Sequence, residues 1–226
     1  MQTSGNSTFG TLYRLTAATL VAGLAIMPVQ IVVFLASPPP CDVAGYFDLL
    51  QARPLLGLLN LDLLYMLSNL LLVPLYLAFY VTLRRSGESL IPLALVVGLL
   101  GLAIYFSTNP GLEMLSFAGK YAAAGTEAER LVFIAAGEVM LARFTGTSFT
   151  VYYLLSGLAL LLFAGVMLRS TVYSRLTARM GLLAGLLMLV PSSAGQIGVA
   201  FSLASLIPWV VFCVLLIRQF LRMARE

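Results

Sequence analysis

The chain of 226 residues contains no histidine, and that single absence excludes much chemistry. Ser-His-Asp and Cys-His nucleophiles, histidine-ligated haem and every zinc motif built on imidazole are ruled out by residue type. There is one lysine, Lys120, in a connecting segment, so a Schiff base buried within a helix is excluded as well. The two cysteines, Cys41 and Cys213, cannot make a thiolate metal site by themselves. No cofactor or metal is expected. Charge is scarce too: Asp, Glu, Lys and Arg make up 10% of the chain and hydrophobic residues 61%, against about 25% charged in a soluble domain. The net charge of +4 is no sign of nucleic-acid binding. The arginines sit at the ends of apolar runs, and no basic patch is interleaved with aromatics.

What the chain does have is long apolar runs. A helix needs about 20 mostly apolar residues to cross a bilayer. Six runs read as spans, near residues 13–36, 55–83, 90–106, 148–168, 176–194 and 197–217. The first is longer than a signal-peptide core and is followed by no clear cleavage site, so it reads as a retained span. Residues 1–11 are polar and expected to fray, and residues 191–196 should form a turn. Pro38-Pro39-Pro40 stops the first helix. Residues 112–146 form one long connection, expected to hold helices near 112–124 and 127–144. Thr126 opens the second of these, with Glu129 in capping-box spacing. Threading the spans alternately puts Arg14, Arg84, Arg85, Arg169, Arg175, Arg179, Arg218, Arg222 and Arg225 on one side. The positive-inside rule then places both termini in the cytoplasm, and Cys41 and Cys213 fall near opposite sides, against a disulfide. The expected fold is all-α: a single transmembrane domain over residues 1–226, a six-helix bundle with a partly helical outer connection between spans three and four.

The second span carries the most information. As a continuous helix it would place Asp62, Tyr65, Asn69, Tyr76 and Tyr80 on one stripe. A charge at the bilayer centre costs roughly 2.5–3.5 kcal/mol on insertion scales, so this stripe must face protein or a water-filled cavity. Asp62 reads either as a structural hydrogen-bonding residue or as a proton-coupling or ligand-binding carboxylate. Glu138, in an otherwise apolar helix of the long connection, reads either as an interfacial carboxylate paired with Arg143 or Arg130, or as a second acid converging on Asp62. Ser148, Tyr152 and Ser156 share one stripe of the fourth span. The candidate ligand-binding residues are Asp62, Tyr65, Asn69, Glu138 and Tyr152, with no catalytic residue and no metal site. Gly181 and Gly185 have the spacing that lets membrane helices approach closely.

The stretches GTEAERLVFIAAGEVMLARFTGT, YYLLSGLALLLFAGVMLRS, RLTARMGLLAGLLMLVPSSAG and FSLASLIPW, with the acid in the second span, resemble a six-span bacterial membrane family known as domain of unknown function 4386. The resemblance implies a multi-pass protein of the bacterial inner membrane with a long outer connection. It implies no catalytic residues.

The expected function is a non-enzymatic membrane protein that binds or moves a small lipophilic or amphipathic molecule in a cavity at Asp62. Its expected partners are membrane lipids and that ligand, not nucleic acid, with self-association left open. One alternative is a membrane-embedded enzyme acting on a lipid or isoprenoid, with Asp62 and Glu138 as acid and base. Another is a structural or regulatory subunit that holds a partner through the Gly181/Gly185 face.

Overall fold

The computed structural model describes residues 9–191 and 193–226, and every regular element among them is helical. The polar stretch expected to fray lies mostly outside the described residues, as does Ser192 in the turn expected at 191–196. In chain order the helices are α1 (Gly10–Ala36), α2 (Val43–Ala52), α3 (Pro54–Asn60), α4 (Leu63–Leu70), α5 (Val73–Leu83), α6 (Leu90–Thr108), α7 (Gly111–Ala123), α8 (Glu127–Arg143), α9 (Phe149–Met167), α10 (Arg175–Leu187) and α11 (Gly195–Met223). A π turn at Phe144–Ser148 joins α8 to α9. The capping box forms: Thr126 Oγ1 accepts from Glu129 N at 3.2 Å, and the Glu129 carboxylate accepts from Thr126 N at 3.3 Å.

Among the described residues, five helical runs are long and apolar enough to cross a bilayer: Gly10–Ala36, Leu63–Leu83, Leu90–Ala123, Glu127–Met167 and Gly195–Met223. The run expected at 176–194 gives a shorter helix, α10, of 13 residues. At 1.5 Å per residue it is about 20 Å long. Two further turns carry the chain to Val190, and there Pro191 ends the ladder. Proline has no N–H to donate and disfavours helix at the residue before it.

A larger correction concerns residues 55–83, expected as one helix. The chain there forms α3, α4 and α5, interrupted at Leu61-Asp62 and at Leu71-Leu72. At the second interruption Pro74 removes the N–H that would have bonded Leu70. Thr16 Oγ1 on α1, which donates to the Leu12 carbonyl at 2.8 Å, also lies 3.1 Å from the Pro74 carbonyl and holds α1 against this interruption.

Close approach of helices rests on small residues, as it must where lipid supplies no hydrophobic drive between them. A Cβ on Gly98 of α6 would stand 2.8 Å from the Tyr76 ring and 3.3 Å from the Ala159 methyl. Gly157 of α9 lies over Gly185 of α10, and Gly181 lies against Phe212 and Ala164. The Gly181/Gly185 face is therefore taken up inside the bundle, against α9 and α11. It offers nothing to an external partner.

One end of the bundle gathers the start of α1, the end of α5, the α9–α10 turn and the end of α11. Tyr13 stacks on Phe220 with centroids 5.9 Å apart, and Arg14 Nη2 reaches the Ala224 carbonyl at 3.5 Å. The hydroxyls of Thr82 and Tyr173 meet at 2.8 Å. Phe79, buried between Phe163, Phe212 and Phe220, fills the middle of this end. The opposite end carries a second core, in which Val43, Phe47 and Leu50 of α2 meet Leu61, Met114 and Ala118. Gly137 brings α8 onto this core, its Cα facing Val43 and Phe47. Cys41 is exposed beside this end, and Cys213 is buried within α11.

Gly98→Leu should cost about 1–3 kcal/mol of stability through overpacking, read as a lower melting temperature in detergent. Gly119→Ala, at a position where a Cβ meets nothing within 4 Å, should leave that temperature unchanged or raise it.

Candidate functional site

The site begins at the break before α4. Asp62 has φ +65° and ψ +25°, the one non-glycine residue among those described in the left-handed region. Aspartate is among the few side chains that tolerate it, at a cost on the order of 1–3 kcal/mol. The break frees the Leu61 carbonyl, which Asn109 Nδ2 bonds at 2.8 Å. The Oδ1 of the same amide accepts from Gly111 N at 3.0 Å. One side chain thus satisfies two corners at once: the α3–α4 break and the α6–α7 turn. The Asp62 carboxylate accepts from the Tyr105 hydroxyl at 3.4 Å. On α2, outside the spans, burial pushes the Tyr46 hydroxyl up from its ordinary pKa, and the negative charge of Asp62 adds to the effect.

One turn further on, Tyr65, Asn69 and Tyr152 form a directional chain. Tyr152 has one hydroxyl proton and gives it to Asn69 Oδ1 at 2.8 Å. Tyr65 must therefore donate to the Tyr152 oxygen at 3.2 Å. Asn69 Nδ2 donates to the Tyr65 carbonyl at 3.0 Å, which fixes the orientation of the amide. The Tyr105 ring packs on Tyr152 at 4.7 Å and edge-on to Tyr65 at 5.5 Å. These three rings separate Asp62 from the space beyond them.

That space is a cavity of about 260 Å³ between α4, α5, α9 and α11. Its polar lining comes from Tyr65, Asn69, Tyr76, Tyr152 and Tyr153, and from Ser68, Ser156, Ser202 and Ser205. The rest is apolar, with Leu75, Phe79, Phe163, Leu206 and Trp209 among the walls. Among the described residues no charged side chain lines it. Tyr153 donates to Ser202 Oγ at 3.1 Å and so ties α9 to α11 across one wall.

The structure thus brings together Tyr65, Asn69 and Tyr152 at the cavity, with Asp62 behind Tyr105. It does not bring Glu138 there. Glu138 is exposed on α8 and makes no hydrogen bond or ion pair among the described residues, so the two carboxylates do not converge. The polar stripe expected of one helix survives only in part. The break at Asp62 turns the carboxylate toward α6, while Tyr65, Asn69 and Tyr76 face the cavity. Tyr105 and Asn109 were missed as site residues. They sit four apart on α6 and its cap, immediately before a Pro-Gly stop, and that spacing marks them as neighbours on one face. Among the described residues no group of His, Cys, Asp or Glu is placed to hold a metal ion.

No protein-family model, curated protein or solved structure matches the chain. The site is therefore assigned on its geometry alone.

Asn109→Leu leaves the buried Leu61 carbonyl without a donor and should destabilise the fold by about 1–3 kcal/mol. Asp62→Gly keeps the left-handed backbone and loses only the acceptor for Tyr105, so it should melt somewhat below wild type, whereas Asp62→Val should melt well below the glycine variant. Thermal unfolding in detergent reads both, and equal melting of the glycine and valine variants would remove the conformational role given to Asp62.

Proposed function

We propose that this chain is a six-span protein of the bacterial inner membrane, both termini cytoplasmic, holding a small lipophilic or amphipathic molecule in the cavity beside Asp62. Support for the topology comes from the meeting of α1's start with α11's end, since neighbouring ends require an even number of crossings. The five long runs and α10 with its trailing turns make six. Support for the orientation is the charge. Nine arginines and two acids belong to the end where the termini meet, against four cations and seven acids elsewhere.

The observation that carries the binding role is the cavity of about 260 Å³, apolar over most of its wall but lined on one side by the Tyr65–Tyr152–Asn69 chain. Such a mixture orients an amphipathic molecule, apolar groups giving affinity and a few fixed polar groups giving direction. Tyr65, Asn69 and Tyr152 hold the polar part. Asp62 acts behind them by fixing Tyr105 and the break. Glu138 lies outside the cavity and has no ligand contact.

Native mass spectrometry of the protein purified in mild detergent should find a co-purified small molecule. Asn69→Leu and Tyr152→Phe should each lower its retention by about tenfold, the equivalent of 1.4 kcal/mol. Asp62→Asn, which keeps an acceptor for Tyr105, should leave retention unchanged. Retention unaffected by Asn69→Leu and Tyr152→Phe would sink the assignment. A reporter active only outside the cytoplasm should be silent at either terminus and active when inserted at Gly125, and the reverse pattern would overturn the topology.

A further inference from the structure

The seam between α1 and α11 is closed over one half of its length and open over the other. At the arginine-rich end Tyr13 stacks on Phe220, and both are buried. Further along, the last buried residue of α1 is Leu20. Met27 lies on the same helical stripe, seven residues on, yet it is only half-buried and it lines the cavity. Across the seam Leu203 of α11 also lines the cavity while 61% exposed. A cavity wall residue that is mostly exposed marks an opening. In a membrane-spanning bundle this opening faces lipid.

Three further features fit a passage there. A small void of about 20 Å³ lies between α1, α4 and α11 and shares Met27 and Trp209 with the main cavity, so packing at the seam is loose. Both helices carry an internal proline at this level, Pro28 and Pro208, and each proline removes one ladder bond and allows bending. The cavity is also small. Pockets for drug-sized ligands span roughly 300–1,000 Å³, so about 260 Å³ accepts a head group and a few carbons but not a two-chain lipid. Any longer chain has to leave through the seam.

The lining decides the head group. It holds no charge, so an ionised head would be desolvated without a counter-charge, which is strongly unfavourable. The hydrogen-bond chain leaves one N–H of Asn69 and the lone pairs of Tyr65 Oη unused, a donor and an acceptor suited to a hydroxyl or an ester carbonyl.

We propose that the cavity takes a single-chain, uncharged amphiphile sideways from the bilayer, through the seam between α1 and α11, with its hydroxyl or carbonyl head at Asn69 and Tyr65 and its tail left in the lipid. This builds on the binding role given to the cavity above and adds the ligand class and the route.

The full chain is reconstituted in vesicles of phosphatidylethanolamine and phosphatidylglycerol doped with a monoacylglycerol that carries a diazirine on the chain carbons next to its ester, irradiated, digested and mapped by mass spectrometry. Parallel samples carry an alkyl sulfonate or a quaternary alkylammonium of the same tail. The monoacylglycerol should label the segment Phe149–Phe163 about tenfold more than either ion. Leu203→Trp, a plug at an exposed position, should reduce that labelling by a similar factor, while Leu100→Trp on another lipid-facing surface should not. Equal labelling by the ions would overturn the ligand class. Labelling unchanged by Leu203→Trp would overturn the route, with the binding role intact. No labelling of Phe149–Phe163 by any probe would sink the binding role itself.

Discussion

Inside a bilayer no water is at hand to bond a stray carbonyl or amide, so any interruption of a helix must be satisfied by the protein. The Leu61-Asp62 break obeys this rule through a single side chain, Asn109, whose amide bonds the freed Leu61 carbonyl and caps the turn into α7. Most of what distinguishes this molecule from a plain bundle depends on that bond. It allows Asp62 to take a left-handed backbone between α3 and α4, and brings the hydroxyl of Tyr105 to the carboxylate.

The bundle is packed unevenly along its length. Around Phe79 and Phe220, aromatic rings fill the space between α5, α9 and α11, and the glycines of α9 and α10 draw those helices together. Away from that end α10 stops after 13 residues, and its last turns place Met188 on the cavity wall. The chamber lies beside these turns, and hydroxyls supply part of its lining. Filling the chamber with apolar side chains would gain packing at the expense of the Tyr65–Tyr152–Asn69 chain, since buried polar groups without partners are costly.

Much of this was legible in the residues. The apolar runs gave the helices, the capping box at Thr126 and Glu129 fixed the start of α8, and Asn109-Pro110-Gly111 marked the end of α6. Tyr65, Asn69 and Tyr152 were legible as a site because polar residues at helical spacing stand out in apolar surroundings. The break at Asp62 was not. Helical spacing assumes that the helix continues, and nothing near Asp62 is a proline or glycine that would stop it. What stops it is a donor 48 positions away at Asn109, and local pattern carries no trace of such a partner. Glu138 misled for the opposite reason. An acid in an apolar helix suggests burial, but α8 turns its small residue Gly137 to the neighbouring helices and leaves Glu138 exposed.

The two cysteines differ in a way that bears on assembly. Cys213 is sealed within the packed helices, and Cys41 stands exposed next to the second core. A chain with one accessible thiol can be joined covalently to only one other. Any cross-link made through these thiols would stop at a pair.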